Sequence, residues 1–161
     1  MELVVYADNL EPQDVADRKP HRGARAVIER EGEVCLLHLS KLDRYTLPGG
    51  GIKRDEEPLD AVFREVREET GLIPTEAVPT VLIREHFPDS SWEHHFFKVR
   101  VEPGTPNPQE LTAEERALGL EAAFVPLDTA LAKLSREVDD PITAQIHKRE
   151  LMGLMHSLDD S

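Results

Sequence analysis

The stretch GGGIKRDEEPLDAVFREVREETGL, Gly49 to Leu72, changes its period in the middle. Three glycines open it. From Pro58 onward, Leu59, Val62, Phe63 and Val66 recur at i, i+3, i+4 and i+7, the spacing of one helix face. Pro58 suits a first helical turn. Gly71 stands where a left-handed cap ends a helix, and Pro74 forbids continuation. The same stretch holds seven carboxylates between Asp55 and Glu69. At about 100° per residue, Glu65 and Glu69 fall at the border of the apolar face one turn apart, with Glu68 just beyond. Like charges at i, i+4 destabilise a helix. A cation relieves such crowding, and hard divalent ions such as Mg2+ or Mn2+ take oxygen ligands. The bland alternative is a solvated acidic face. The glycines argue against it, because backbone without side chains lets a metal or a phosphate come close. So does Arg64, whose guanidinium fork can hold a carboxylate.

Outward from this helix, the chain reads as strands before and after. ELVVY (2–6) is a short strand, and the polar, proline-containing segment 7–21 is a loop. RGARAVIER (22–30) and VCLLHLS (34–40) flank the turn EGE and read as a hairpin. RYTLP (44–48) is short and extended, because Pro48 disfavours helix at Leu47. AVPTVLIREHF (77–87) and SWEHHFFKVRVE (91–102) make a second hairpin around PDSS. After a loop at 103–110, LTAEERALG allows one helical turn or a capped loop. LEAAFVPL (120–127) is a last strand, and amphipathic helices cover about 128–158. Strands and helices mix without strict alternation. The expected fold class is therefore α/β, a mixed sheet with helices packed on it, in one domain over 1–161.

Composition limits the functions available. Of 161 residues, 39% are apolar, enough for an ordinary core. The net charge of −13 argues against a broad basic surface for DNA or RNA. An anionic small molecule would need local neutralisation by a metal or by placed arginines. The single cysteine, Cys35, reads as a packed strand residue and suits a reducing compartment. No signal-peptide pattern and no membrane-length apolar run is evident, so a cytoplasmic location without membrane partners is expected.

Gly50, Glu56, Arg64, Glu65, Glu68, Glu69 and Gly71, with aliphatic Val66 and Leu72, stand at the spacings of the Nudix box, residues 50–72, without a departure. The chain thus resembles the MutT-like Nudix hydrolases. That resemblance implies an α/β/α sandwich around a mixed central sheet. It also implies hydrolysis of a nucleoside diphosphate linked to another group X, with Mg2+ or Mn2+. By resemblance, Glu65, Glu68, Glu69 and the Gly50 carbonyl are metal ligands, and Arg64 joins the catalytic set. Glu56 and Gly71 are structural. Which glutamate accepts the water's proton stays open. Some members draw a further glutamate from a later loop. Glu110, Glu114, Glu115 and Glu121 are available, with Glu115 favoured for its place before the last strand. Arg22, Arg25, Lys53 and Trp92 are the candidates for substrate contact. Free (d)NTPs or NDPs, damaged ones included, are the expected substrates. The alternatives are ADP-ribose, nucleotide sugars or dinucleoside polyphosphates. A module that senses a nucleotide without cleaving it is the rival from another class, and an intact box argues against it. A homodimer stays open.

Overall fold

The computed structural model describes residues 1–158. The last three residues of the expected domain, 159–161, lie outside the described residues. Strands are β1 (Glu2–Tyr6), β2 (His21–Val27), β3 (Glu29–Arg30), β4 (Glu33–Leu39), β5 (Arg44–Thr46), β6 (Gly49–Gly51), β7 (Pro74–His86), β8 (Ser91–Val101) and β9 (Leu120–Pro126). Helices are α1 (Pro12–Val15), α2 (Pro58–Thr70), α3 (Ala113–Ala117), α4 (Leu127–Ser135) and α5 (Pro141–Leu158). No described helix is long and apolar enough to cross a membrane.

The central sheet is mixed, as the sequence suggested. Its order is β1-β7-β8-β2-β6. β1 runs parallel to β7 and β2 parallel to β8, while β7/β8 and β2/β6 are antiparallel. The long β7/β8 hairpin is the one expected around PDSS. Period two along β8 splits its aromatic residues between two cores. Phe96 packs with Val27, Ile83 and Leu154, on the side that α4 and α5 cover. Phe97 packs with Ala26, Val62 and Val66, on the side that α2 covers.

The expected hairpin of 22–30 with 34–40 is corrected. Only its tip forms, with Glu29 opposite Val34 and Arg30 opposite Glu33. At Ile28, buried to 0% exposure, the chain changes sheets. β2 stays with β8 and β6, while β3 joins β4, β5 and β9 in a second, four-stranded sheet. The apolar run ARAVI spans both sheets because it feeds both cores, and hydrophobic continuity alone cannot reveal that break. Two smaller corrections concern loops. Segment 7–21 contains the single turn α1, where Pro12 sits in the first turn and the Glu11 N–H donates to Asp14 Oδ2 at 2.8 Å. The glycine run is the strand β6, paired to β2 with Gly49 opposite Arg25 and Gly50 opposite Ala24.

Helix α2 begins at Pro58 and ends at Gly71 in the left-handed conformation, φ 75°. The buried face is rotated from the one its apolar residues define. Leu59 is 44% exposed, whereas Ala61, Val62, Glu65, Val66, Glu69 and Thr70 are buried. Glu65 and Glu69 therefore lie within the buried face, not at its border. Segment 103–111 crosses the end of α2 and satisfies its free carbonyls. The Glu110 N–H donates to Glu68 O at 2.7 Å, and Gln109 Nε2 donates to Glu69 O at 2.6 Å. A Cβ on Gly71 would collide with the carbonyl oxygen of Asn107 in that segment. Gly71→Ala therefore combines a left-handed backbone penalty with a backbone clash. It should destabilise the protein by about 1–3 kcal/mol, read as a lower urea midpoint. An unchanged midpoint would mean that segment 103–111 does not rest on the helix end.

Candidate functional site

Three carboxylates from two elements meet beside the glycine strand. Ligand oxygens of Glu65, Glu69 and Glu115 all lie within 4.8 Å of one another. The first two come from α2 and the third from α3. Glu115 is placed by its own capping box. The Thr112 N–H donates to Glu115 Oε1 at 2.9 Å, and the Glu115 N–H donates to Thr112 Oγ1 at 3.1 Å. The T-x-x-E signature was readable at 112–115, and with the crossing of segment 103–111 it fixes where Glu115 points. Of the other late-loop candidates, Glu114 lines the neighbouring cavity, while Glu110 and Glu121 are outside the trio.

Glu69 is 4% exposed. Its Oε1 accepts the Gly49 N–H at 2.7 Å, which ties β6 to α2. Burial pushes the Glu69 carboxyl well above its usual range, and the Glu65 charge adds to the rise. Burial also raises Glu65, with Arg64 opposing. The close approach at Gly50 is exacting, because a Cβ there would lie 2.7 Å from Glu65 Oε1.

Glu68 stands apart from the trio. Arg64 holds it, together with most of the box. Arg64 Nε and Nη2 donate to the two oxygens of Glu56 at 2.7 and 2.9 Å. Its Nη1 donates to Glu65 Oε1 at 2.8 Å and Glu68 Oε2 at 3.2 Å, and Nη2 also reaches Gly51 O at 3.1 Å. The Arg64 hydrogen bonds, aided by the Lys53 N–H, lower the Glu56 carboxyl to about 2. One guanidinium thus fixes the loop, the helix and the orientation of two further glutamates.

A cavity of about 320 Å³ opens from this cluster. Glu69, Glu115 and Gly49 line one part of it, and Arg25, Trp92 and Arg149 line others. Arg25 and Trp92, both singled out from the sequence, are thus brought to the site. Arg22 and Lys53 are exposed and do not line the cavity. Arg149 and Arg44, which also lines the cavity, were missed. Arg149 sits in a helix whose period reads as plain amphipathicity, and no local pattern marks it. The donors of the trio are all hard carboxylate oxygens, the set that suits Mg2+ or Mn2+ over a thiophilic metal.

A family model described as NUDIX domain matches residues 19–146. An RNA pyrophosphohydrolase of Hahella chejuensis is 49% identical over 51 residues, 32% of this chain and 31% of that protein. The chain spans less than a third of the length of the curated relatives it matches. Among solved structures, a NUDIX hydrolase from Nitrosomonas europaea superposes with a TM-score of 0.64 at 23% identity, covering 89% of this chain and 96% of that one. A UDP-X diphosphatase superposes with a TM-score of 0.63 at 17% identity, covering 94% and 73%.

The raised carboxyl of Glu69 has a consequence for metal-free protein. Between the ordinary value of 4.5 and the raised folded value, the native state holds a proton that the unfolded chain has lost. Stability from this group is therefore greatest at low pH and falls as pH rises through that window. In EDTA, the melting temperature should climb as pH is lowered from 8 toward 5, and Glu69→Gln should flatten that slope. Equal slopes in the two proteins would mean that burial does not raise the Glu69 carboxyl.

Proposed function

The chain belongs to the NUDIX family, and from that premise we propose that it is a divalent-metal-dependent pyrophosphohydrolase acting on nucleoside diphosphate derivatives. The observation that carries this reading is the convergence of Glu65, Glu69 and Glu115, the last two of which line one cavity with Arg25. Free nucleotides, (d)NTPs or NDPs, are the favoured substrates, and the protein is taken as one catalytic domain. The relative and the solved structure named RNA pyrophosphohydrolase and UDP-X diphosphatase point to the same linkage class, with different leaving groups. The net charge of −13 favours a small anion over a long RNA among these.

The residues divide the work by position. Glu65, Glu69 and Glu115 would hold the ion, with Glu68 at the margin under the control of Arg64 and the Gly50 backbone beside Glu65. A bound Mg2+ or Mn2+ supplies charge neutralisation for the pyrophosphate and an acidified water. Arg25 lies opposite Gly49 in the strand pair. Its Nη1 donates to Leu47 O at a long 3.4 Å, and its buried Nε has no partner among the described residues. We assign Arg25 to the phosphate chain, because a cation with spare donors at this edge offsets substrate charge where the carboxylates repel it. Glu56 and Arg64 hold the loop and the helix in register and do not touch substrate. Arg22 and Lys53 have no part in this reading.

Turnover of a panel of nucleoside di- and triphosphates, nucleotide sugars and dinucleoside polyphosphates, followed by chromatography, tests the proposal. Activity should require Mg2+ or Mn2+ and vanish in excess EDTA. Glu69→Gln preserves side-chain size but removes a charge from the centre of the trio. We expect kcat to fall by about a hundredfold or more while KM changes little. Glu2→Gln, on the exposed edge strand β1, should be silent. Tight binding of a nucleotide with no cleavage of any panel member would instead make this a sensing module.

A further inference from the structure

On the opposite side of the central sheet from α2, helix α5 carries an arginine with a donor to spare. Arg149 is 3% exposed. Its Nη1 donates to Glu85 Oε1 at 2.6 Å and faces His94 Nε2 at 3.2 Å. Its Nε donates to Glu150 Oε2 at 3.3 Å. The other amine, Nη2, has no hydrogen-bond partner among the described residues. Arg149 also lines the cavity that Glu69 and Glu115 line. A cationic donor whose other bonds all face the core, and whose free amine belongs to a cavity-lining residue, is placed for a ligand.

The charge balance around Arg149 limits what that ligand group is. Arg149 stands against two carboxylates, Glu85 and Glu150. Arg25 Nη1 lies 3.8 Å from Glu150 Oε1, and Arg149 contacts both acids. His94 adds no charge, since burial, followed by the charges of Arg149 and Arg25, holds its pKa well below the ordinary value. One buried cation already faces two anions. A further anion at Nη2 would add repulsion, and a neutral acceptor such as a carbonyl oxygen completes the site. The neighbouring walls are flat. Trp92 and Phe87 line the cavity, and Trp92 is braced by His94, parallel with ring centroids 5.6 Å apart, and by His21, tilted at 4.9 Å. Flat aromatic walls favour a planar heterocycle.

We propose that this end of the cavity binds the base of the nucleotide, and that Arg149 Nη2 selects an oxo-purine, hypoxanthine or guanine, over adenine. The inference rests on reading the carboxylate trio as the phosphate end. Arginine donates to the O6 and N7 acceptors of an oxo-purine. Adenine keeps the N7 acceptor but presents an amino group where the oxo-purine has its carbonyl, so at the six-position donor meets donor and one of the two contacts is lost.

Trp92 is the only tryptophan in the chain, so intrinsic fluorescence reports on this cavity. In EDTA, the full-length protein is titrated with inosine and with adenosine, which differ at the six-position of the purine and carry no phosphate. Inosine should quench Trp92 with half-saturation at least about tenfold below that of adenosine. Arg149→Lys keeps the charge opposite Glu85 and Glu150 but lacks the second amine. It should erase the difference while melting within a few degrees of the parent. Equal half-saturation in the parent protein, or no quenching by either nucleoside up to its solubility limit, overturns the proposal without any variant. Discrimination that survives in a folded Arg149→Lys overturns the role of Arg149. No hydrolysis is measured, so failure here leaves the hydrolase reading standing. An inosine preference in a protein that cleaves nothing would leave the base site standing instead.

Discussion

The hydrogen bond from the Gly49 N–H to Glu69 Oε1 joins the two halves of the site. It fastens β6, the last strand of the central sheet, to the helix that supplies the acidic residues. Everything near it follows from that closeness. Gly50 must lack a Cβ because Glu65 occupies the space where one would be. Glu69 must be buried because strand and helix touch there. The cost is electrostatic, since Glu69 and Glu65 are buried and crowd each other and Glu115. Arg64 meets part of it from one side through Glu56, Glu65 and Glu68. Of the trio, Arg64 reaches only Glu65, and a divalent ion would complete the proposed chemistry.

The molecule handles its second buried charge cluster differently. Around Arg149, unlike charges alternate. Arg149 bridges Glu85 and Glu150, Leu47 donates its N–H to Glu150 Oε1 at 3.0 Å, and Gln145 Nε2 reaches Glu85 Oε2 at 3.3 Å. Removing one partner of such a buried pair is strongly destabilising, whereas the intact pair contributes modest net stability. One cluster therefore holds its carboxylates against a buried arginine and neutral donors, and the other is a concentration of one sign. Both border the same cavity. That contrast suits a substrate with a highly charged end and a neutral end.

Much of this was legible from residues 49–72. Pro58 and Gly71 bounded the helix, and the spacing of Glu65 and Glu69 placed them on one side. The orientation was off because Leu59, counted as core, is exposed, while the two glutamates lie within the buried face. A hydrophobicity pattern assigns carboxylates outward by default, and a helix that buries them breaks that rule. Glu115 carried a local capping signature, but its closeness to Glu69 depends on segment 103–111 crossing the end of α2, a tertiary contact that no window of sequence encodes. Arg149 had no signal at all, since its partners Glu85 and His94 lie 64 and 55 residues away. The sheet change at Ile28 was hidden for a similar reason. An uninterrupted apolar run serves two cores as well as one.

The claim on which the rest turns is that the Glu65–Glu69–Glu115 trio is a preformed divalent-cation site. Thermal unfolding at fixed neutral pH and ionic strength, with Mg2+ raised from none to saturation, tests it directly. A cation that binds only the folded trio stabilises it by mass action. The melting temperature should rise with Mg2+, and the rise should shrink in Glu65→Gln and in Glu69→Gln. A melting temperature indifferent to Mg2+ in the parent protein, or one that rises equally in all three proteins, would contradict it.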